Sequence, residues 1–231
     1  MTQRLAPAVL LAATLAAGTA TAAPPARPAV VELFTSQGCS SCPPANDAVA
    51  ELSERPDVIA LSFGVTYWDY LGWKDTFARP DYTARQRAYA KALGHDGPFT
   101  PEVVVDGRAD TVGNTPARIL KLIAARRPAD PTTVAVEDRV ARIAAGAAPK
   151  GGAEVWLVRY DPRVVQVPVK RGENTGKTLP HKNVVRDLKR LGRWTGPAAS
   201  FELPPAPAGL KTVVLVQSPD GGPILAAARA G

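Results

Sequence analysis

From Val30 onward, short apolar runs alternate with polar segments of helical spacing. Val30 to Thr35 (VVELFT) and Asp57 to Val65 (DVIALSFGV) are apolar, rich in β-formers and bounded by turn residues, so both read as buried strands. Between them, Ser36-Gln37-Gly38 breaks the first run and Ala45 to Ser53 has helical spacing. Pro43 and Pro44 suit the first turn of that helix, where a missing N–H costs nothing. An aromatic-rich loop follows from Thr66 to Pro80, then a helix from Asp81 to Leu93 that Gly94 is placed to end. Glu102 to Val105 is a third strand, and Asp106-Gly107 is a hairpin signal. Thr115-Pro116 supplies a cap and first turn for a helix over Ala117 to Arg127. The order predicted for this half is β-α-β-α-β-β-α.

Pro128-Ala129-Asp130-Pro131 then punctuates the chain and the periodicity changes. Val155 to Tyr160, Val164 to Val169 and Thr212 to Gln217 read as strands. Residues 133–145 and a short stretch near 182–191 are helix candidates. The expectation is a mostly β region, either a small sandwich or a sheet packed on the first half.

The first residues carry an address. Arg4 precedes an uncharged apolar stretch, Ala6 to Ala17, and Ala20-Thr21-Ala22 is a small-x-small cleavage site. Residues 1–22 are therefore expected to be a secretory signal peptide, with a periplasmic or secreted destination. No later apolar run approaches the roughly 20 residues that span a bilayer, so no transmembrane segment is expected after cleavage. A chain of 231 residues with 45% hydrophobic and 21% charged residues has an ordinary folding composition. Its 2 cysteines and 2 histidines exclude a four-thiolate zinc site and a histidine-only metal cage.

Export changes how the cysteine pair is read, because disulfides persist in oxidising compartments. Strand, short turn, Cys39-Ser40-Ser41-Cys42 and helix is the order that thiol–disulfide exchange requires. Two intervening residues let one turn of chain bring the sulfurs within bonding distance. Cys39 is expected at the helix N-terminus, which favours thiolate over thiol and suits a nucleophile, with Cys42 one turn inside as the resolving thiol. The two serines add hydroxyl donors near the sulfurs. Downstream, Thr100-Pro101 puts a proline at the start of a strand, where a cis bond costs only about 0.5–1 kcal/mol. The Thr100 backbone would then be free to pair with an incoming peptide.

The element order, the Cys39/Cys42 pair and the Thr100-Pro101 step resemble the thioredoxin fold. More closely, VELFTSQGCSSCPPA, TYWDYLGWKD, TPEVVVDG and RGENTGKTLPHKNVVRDL resemble a secreted bacterial thioredoxin-like family catalogued as a domain of unknown function. This resemblance implies an α/β chain: a thioredoxin-like fold over residues 29–128, followed by a β-rich region over 132–231. It implies a redox role for Cys39, Cys42, Thr100 and Pro101, and protein thiols or disulfides in the periplasm as partners. It supplies no particular substrate and no cofactor.

Other features carry two readings each. Phe63, Tyr67, Trp68, Tyr70, Trp73, Phe77, Tyr82 and Tyr89 either form a contact surface beside the cysteines or fill a core under a long loop. His95 and His181 are either ordinary loop histidines or groups that approach the cysteines from two sides. Arg171 to Thr178 (RGENTGKT) fails the phosphate-loop spacing and is expected to be a polar loop that docks the two halves. The lysines and arginines between Lys170 and Arg193 make a solvated face or attract an acidic partner. No nucleic-acid motif is present. Three functions remain: an exported thiol–disulfide oxidoreductase, a module that holds copper or another soft metal ion on the cysteines, and a binding protein with a structural disulfide.

Overall fold

The computed structural model describes residues 27–126 and 130–230, so the segment read as a signal peptide lies outside the described residues. The chain is mixed α/β. In order it forms β1 (Ala29–Thr35), α1 (Pro43–Leu52), β2 (Val58–Gly64), a 3-10 turn (Asp69–Leu71), α2 (Pro80–Leu93), β3 (Glu102–Val105), β4 (Ala109–Thr111) and α3 (Pro116–Ala124). The second half gives β5 (Val134–Glu137), β6 (Val140–Ile143), β7 (Ala153–Asp161), β8 (Val165–Pro168) and β9 (Thr178–His181). It ends with β10 (Val184–Trp194), β11 (Ala199–Glu202), β12 (Lys211–Gln217) and β13 (Ile224–Arg229).

One eight-stranded sheet spans both halves, in the order β13-β12-β7-β10-β2-β1-β3-β4. β1 and β2 run parallel, β3 pairs antiparallel with β1, and β10 lies parallel to β2 at Val184 and Ser62. The strands after residue 132 thus continue the sheet that the first half begins. Side chains alternate across it with period two. Val30, Phe34, Ile59, Leu61, Phe63 and Val104 meet Tyr82 and Tyr89 of α2 on one face. Val31, Leu33, Val58, Ala60, Val103 and Val105 meet α1 and Ile119 of α3 on the other. Under the second half, Val155, Leu157, Val214 and Val216 are covered by a three-stranded sheet, β11-β6-β5, and by Trp194.

A buried polar cluster ties the layers. Arg85 of α2 donates to both oxygens of Glu32 on β1, at 2.7 and 3.1 Å, and to Tyr89 Oη at 2.9 Å. Gln217 of β12 donates to the same Tyr89 oxygen at 3.0 Å. Both charges are paired and hydrogen-bonded, the condition on which a buried ion pair is tolerated.

Two expectations are corrected here. Residues 133–145 form the hairpin β5–β6, not a helix. Asp138 and Arg139 turn it with φ of 48° and 59°, and β6 is paired on both edges. The stretch 182–191 is extended as β10 because it pairs with β7 along nearly its whole length. Lys, Arg and Leu favour helix only weakly, and tertiary pairing overrides such preferences. Among the described residues, no helix is long and apolar enough to cross a membrane.

Candidate active site

β1 ends at Thr35 in the middle of the sheet, and the chain turns through Ser36, Gln37 and Gly38 into Cys39. The turn is held from the aromatic loop. The Gln37 backbone N–H donates to Asp75 Oδ2 at 2.7 Å, and Trp73 Nε1 donates to Gln37 Oε1 at 2.9 Å. Asp75 is buried and also accepts from the backbone N–H groups of Phe77 and Ala78 at 2.8 and 3.1 Å. Burial pushes its carboxyl above the ordinary range against the pull of those donors.

Cys39 and Cys42 form a disulfide with Cα atoms 5.5 Å apart. Cys42 is the N-cap of α1, and its carbonyl accepts from the N–H groups of Ala45 and Asn46 at 3.0 and 3.1 Å. The helix therefore begins after Cys42 and not at Cys39 as expected, because Pro43 and Pro44, whose missing N–H groups suit a first turn, set its start; Cys42 and not Cys39 sits at the helix N-terminus. The Ser41 hydroxyl lies 3.3 Å from Cys39 Sγ and is the donor, since a disulfide sulfur carries no hydrogen. Both cysteines are 0% exposed, whereas Ser40 and Ser41 between them are exposed.

The Thr100–Pro101 bond is cis. β3 starts immediately after it, and Glu102 pairs with Phe34 of β1. Extending that antiparallel register by one residue sets Pro101 opposite Thr35, at the end of the strand that feeds the cysteines. Trp68 bridges the two segments. Its indole N–H donates to Thr100 Oγ1 at 2.7 Å, and its Cβ would stand 3.3 Å from a Cβ on Gly38.

The loop between β8 and β9 docks on the backbone around Cys39. Asn174 is 0% exposed, and its Nδ2 donates to the carbonyl oxygens of Gln37 at 3.0 Å and Cys39 at 2.8 Å. Glu173 accepts from the Ser40 backbone N–H at 2.9 Å, which holds its carboxyl below the usual range. Gly172, with φ of 80°, packs near Gly38, Leu71 and Trp73. Lys177 donates to Asn174 Oδ1 at 3.1 Å and so orients the amide. The polar loop read in RGENTGKT does dock the halves, and it docks on the cysteine pair. Nothing in sequence spacing marks Asn174 for that place, because 135 residues separate it from Cys39.

The other candidates divide. Phe63, Tyr82 and Tyr89 are core residues, with Phe63 stacked on Phe34 at 5.3 Å. Trp68 and Trp73 hold the approach to the cysteines, and Tyr70 is 78% exposed. His181 is buried against Phe77, with ring centroids 5.4 Å apart; burial, helped by Arg186, lowers its pKa to about 4. His95 pairs with Asp110 at 3.0 Å, which raises its pKa. Several basic side chains of the second half are engaged: Lys182 with Glu54, Arg190 with Glu154, and Arg186 over the Phe77 ring at 4.3 Å.

A model for a family of proteins of unknown function, DUF1223, matches residues 30–217. The chain belongs to this family. The match takes in β1, the cysteine turn, the aromatic loop, the β8–β9 cover and most of the sheet. The crystal structure of a structural-genomics target from Agrobacterium tumefaciens is 31% identical to this DUF1223 chain, with a TM-score of 0.73, over 90% of this chain and 95% of that one. HBP35 of Porphyromonas gingivalis is similar at 14% identity and a TM-score of 0.54, over 89% of this chain and 75% of that one, a likeness of fold alone. No curated protein matches the chain.

Proposed function

We propose that this DUF1223 protein is an exported thiol–disulfide oxidoreductase on a thioredoxin-like fold, acting on protein thiols or disulfides outside the cytoplasm. The observation that carries the reading is the Cys39–Cys42 disulfide at the start of α1, beside the strand that opens with cis Thr100–Pro101. In the oxidised form, a partner thiolate attacks Cys39 Sγ. The Cys39–Cys42 bond breaks, a Cys39–partner disulfide forms, and Cys42 leaves as thiolate at the helix N-terminus. A second partner thiolate then attacks the partner sulfur of the mixed disulfide and releases Cys39. The net result is one partner disulfide and two thiols on this chain. Run backwards, the same steps reduce a partner. Thr100 would offer backbone groups to the partner strand.

Both sulfurs are buried, so in-line attack on Cys39 Sγ needs an open side, and the β8–β9 loop, hydrogen-bonded to the Cys39 and Ser40 backbone, is the element we propose withdraws. The same burial favours a second reading, a binding protein in which the disulfide is only structural. A Cys42→Ser variant expressed in its native host separates the two. The proposed enzyme accumulates partners as mixed disulfides on Cys39, seen as reducible bands on non-reducing gels. Absence of such adducts, with unchanged fold, leaves the structural disulfide.

A further inference from the structure

At the far side of Pro101, three potential ligands converge from separate elements. Gly94 ends α2 in the left-handed conformation, φ 81°, and the His95 N–H then closes on Ala90 O at 2.8 Å, which fixes the histidine just past the helix. Val104 of β3 pairs with Asp110 of β4, so Asp110 shares a sheet face with Val104 and with Glu102, two residues away. This is the face that α2 covers. His95, Glu102 and Asp110 each bring one donor atom to a point where all three lie within 4.8 Å of one another.

Glu102 is the informative member. It is 0% exposed; Gln86 Nε2 donates to its Oε2 at 2.7 Å, and its Oε1 is buried without a partner. A buried carboxylate oxygen left unpaired is costly, and such groups are paired or coordinate metals. Among the described residues, no lysine or arginine forms an ion pair with Glu102 or Asp110. Glu32, next in the row across the sheet, already has Arg85.

We infer that His95, Glu102 and Asp110 form a binding site for a divalent first-row transition metal ion. One imidazole and two carboxylates are a donor set for Zn²⁺, Mn²⁺ or Fe²⁺ and not for a soft ion such as Cu(I), which seeks thiolates. His95 and Asp110 keep side-chain exposures of 35% and 15%, so the ion has an entry path and room for water ligands. The bound ion replaces the proton between His95 and Asp110 and satisfies the orphaned carboxyl of Glu102. It clamps the end of α2 to the β3–β4 hairpin, directly after the Thr100–Pro101 step. This site is independent of the cysteine chemistry and stands if the redox reading fails.

The test is calorimetric titration of Zn²⁺ into metal-stripped full chain, without a polyhistidine tag and with the disulfide closed. One ion per chain is expected. His95→Ala and Asp110→Asn, both at partly exposed positions, should each weaken binding at least about tenfold, the size of effect that even outer-shell changes produce. The Cys39→Ser/Cys42→Ser double variant should bind as the parent does. Proton NMR supplies a second readout, because the chain has only 2 histidines: the His95 imidazole signals should shift with Zn²⁺ and those of His181 should not. No binding, binding unchanged by His95→Ala, or shifts confined to His181 would overturn the site.

Discussion

Asn174 hydrogen-bonds the backbone on both sides of Gly38, at the Gln37 and Cys39 carbonyls. The donor comes from the β8–β9 loop of the second half, so the two halves of the chain meet at the turn that carries the disulfide. Asn174→Ala removes two hydrogen bonds, each worth roughly 0.5–1.5 kcal/mol, that anchor the loop proposed to gate the sulfurs. Reduction of the disulfide by dithiothreitol should then be about tenfold faster, followed by timed alkylation and mass spectrometry. An unchanged rate would mean that the loop does not limit access.

Trp68 joins the cysteine turn to Thr100 through a single indole hydrogen bond of 2.7 Å. Trp68→Phe keeps most of the packing and removes that bond. A stability loss of about 1 kcal/mol is expected in urea denaturation. If Thr100–Pro101 receives partner peptides, exchange with a peptide disulfide should slow several-fold while reduction by dithiothreitol stays within about twofold. Equal slowing of both would assign Trp68 to packing alone.

His181 makes stability fall in acid. Burial and Arg186 hold its folded pKa at about 4, below the ordinary 6.5. Between those values the unfolded chain takes up a proton that the folded chain refuses, so its contribution is present above pH 6.5 and is lost as pH falls towards 4. The gap corresponds to about 3 kcal/mol. Glu102 slopes the other way, because burial pushes its pKa up to about 7 and its neutral form favours folding as pH falls. The contribution of His181 therefore has to be read as a difference. His181→Leu should remove most of that acid loss when urea midpoints of variant and parent are compared from pH 7 to 4.

Much of the first half is legible in the residues. The continuous apolar runs in VVELFT and DVIALSFGV mark strands with two covered faces, because a pleated strand sends successive side chains to opposite sides and both must then be apolar. Gly94 and Asp106-Gly107 mark a helix end and a tight turn because few other residues accept positive φ. Cys39-Ser-Ser-Cys42 and Thr100-Pro101 are local chemistry, set by short spacing. The second half is less legible. Ala, Arg, Lys and Leu in 133–145 and 182–191 suit a helix by propensity, yet both stretches are strands because neighbouring strands use their backbone groups.

The sequence by itself determined what depends on a few adjacent residues: the strands and helices of the first half, the two hairpin and helix-ending turns, and the spacing that lets Cys39 and Cys42 bond. Tertiary structure alone decided which distant groups meet. It placed Asn174 over Cys39, drew β10 alongside β2 to make one sheet of two halves, and gathered His95, Glu102 and Asp110. Those contacts exist because the sheet buries its two faces and its backbone pairs along its edges. Such burial and pairing are collective, so no single stretch of the chain records them.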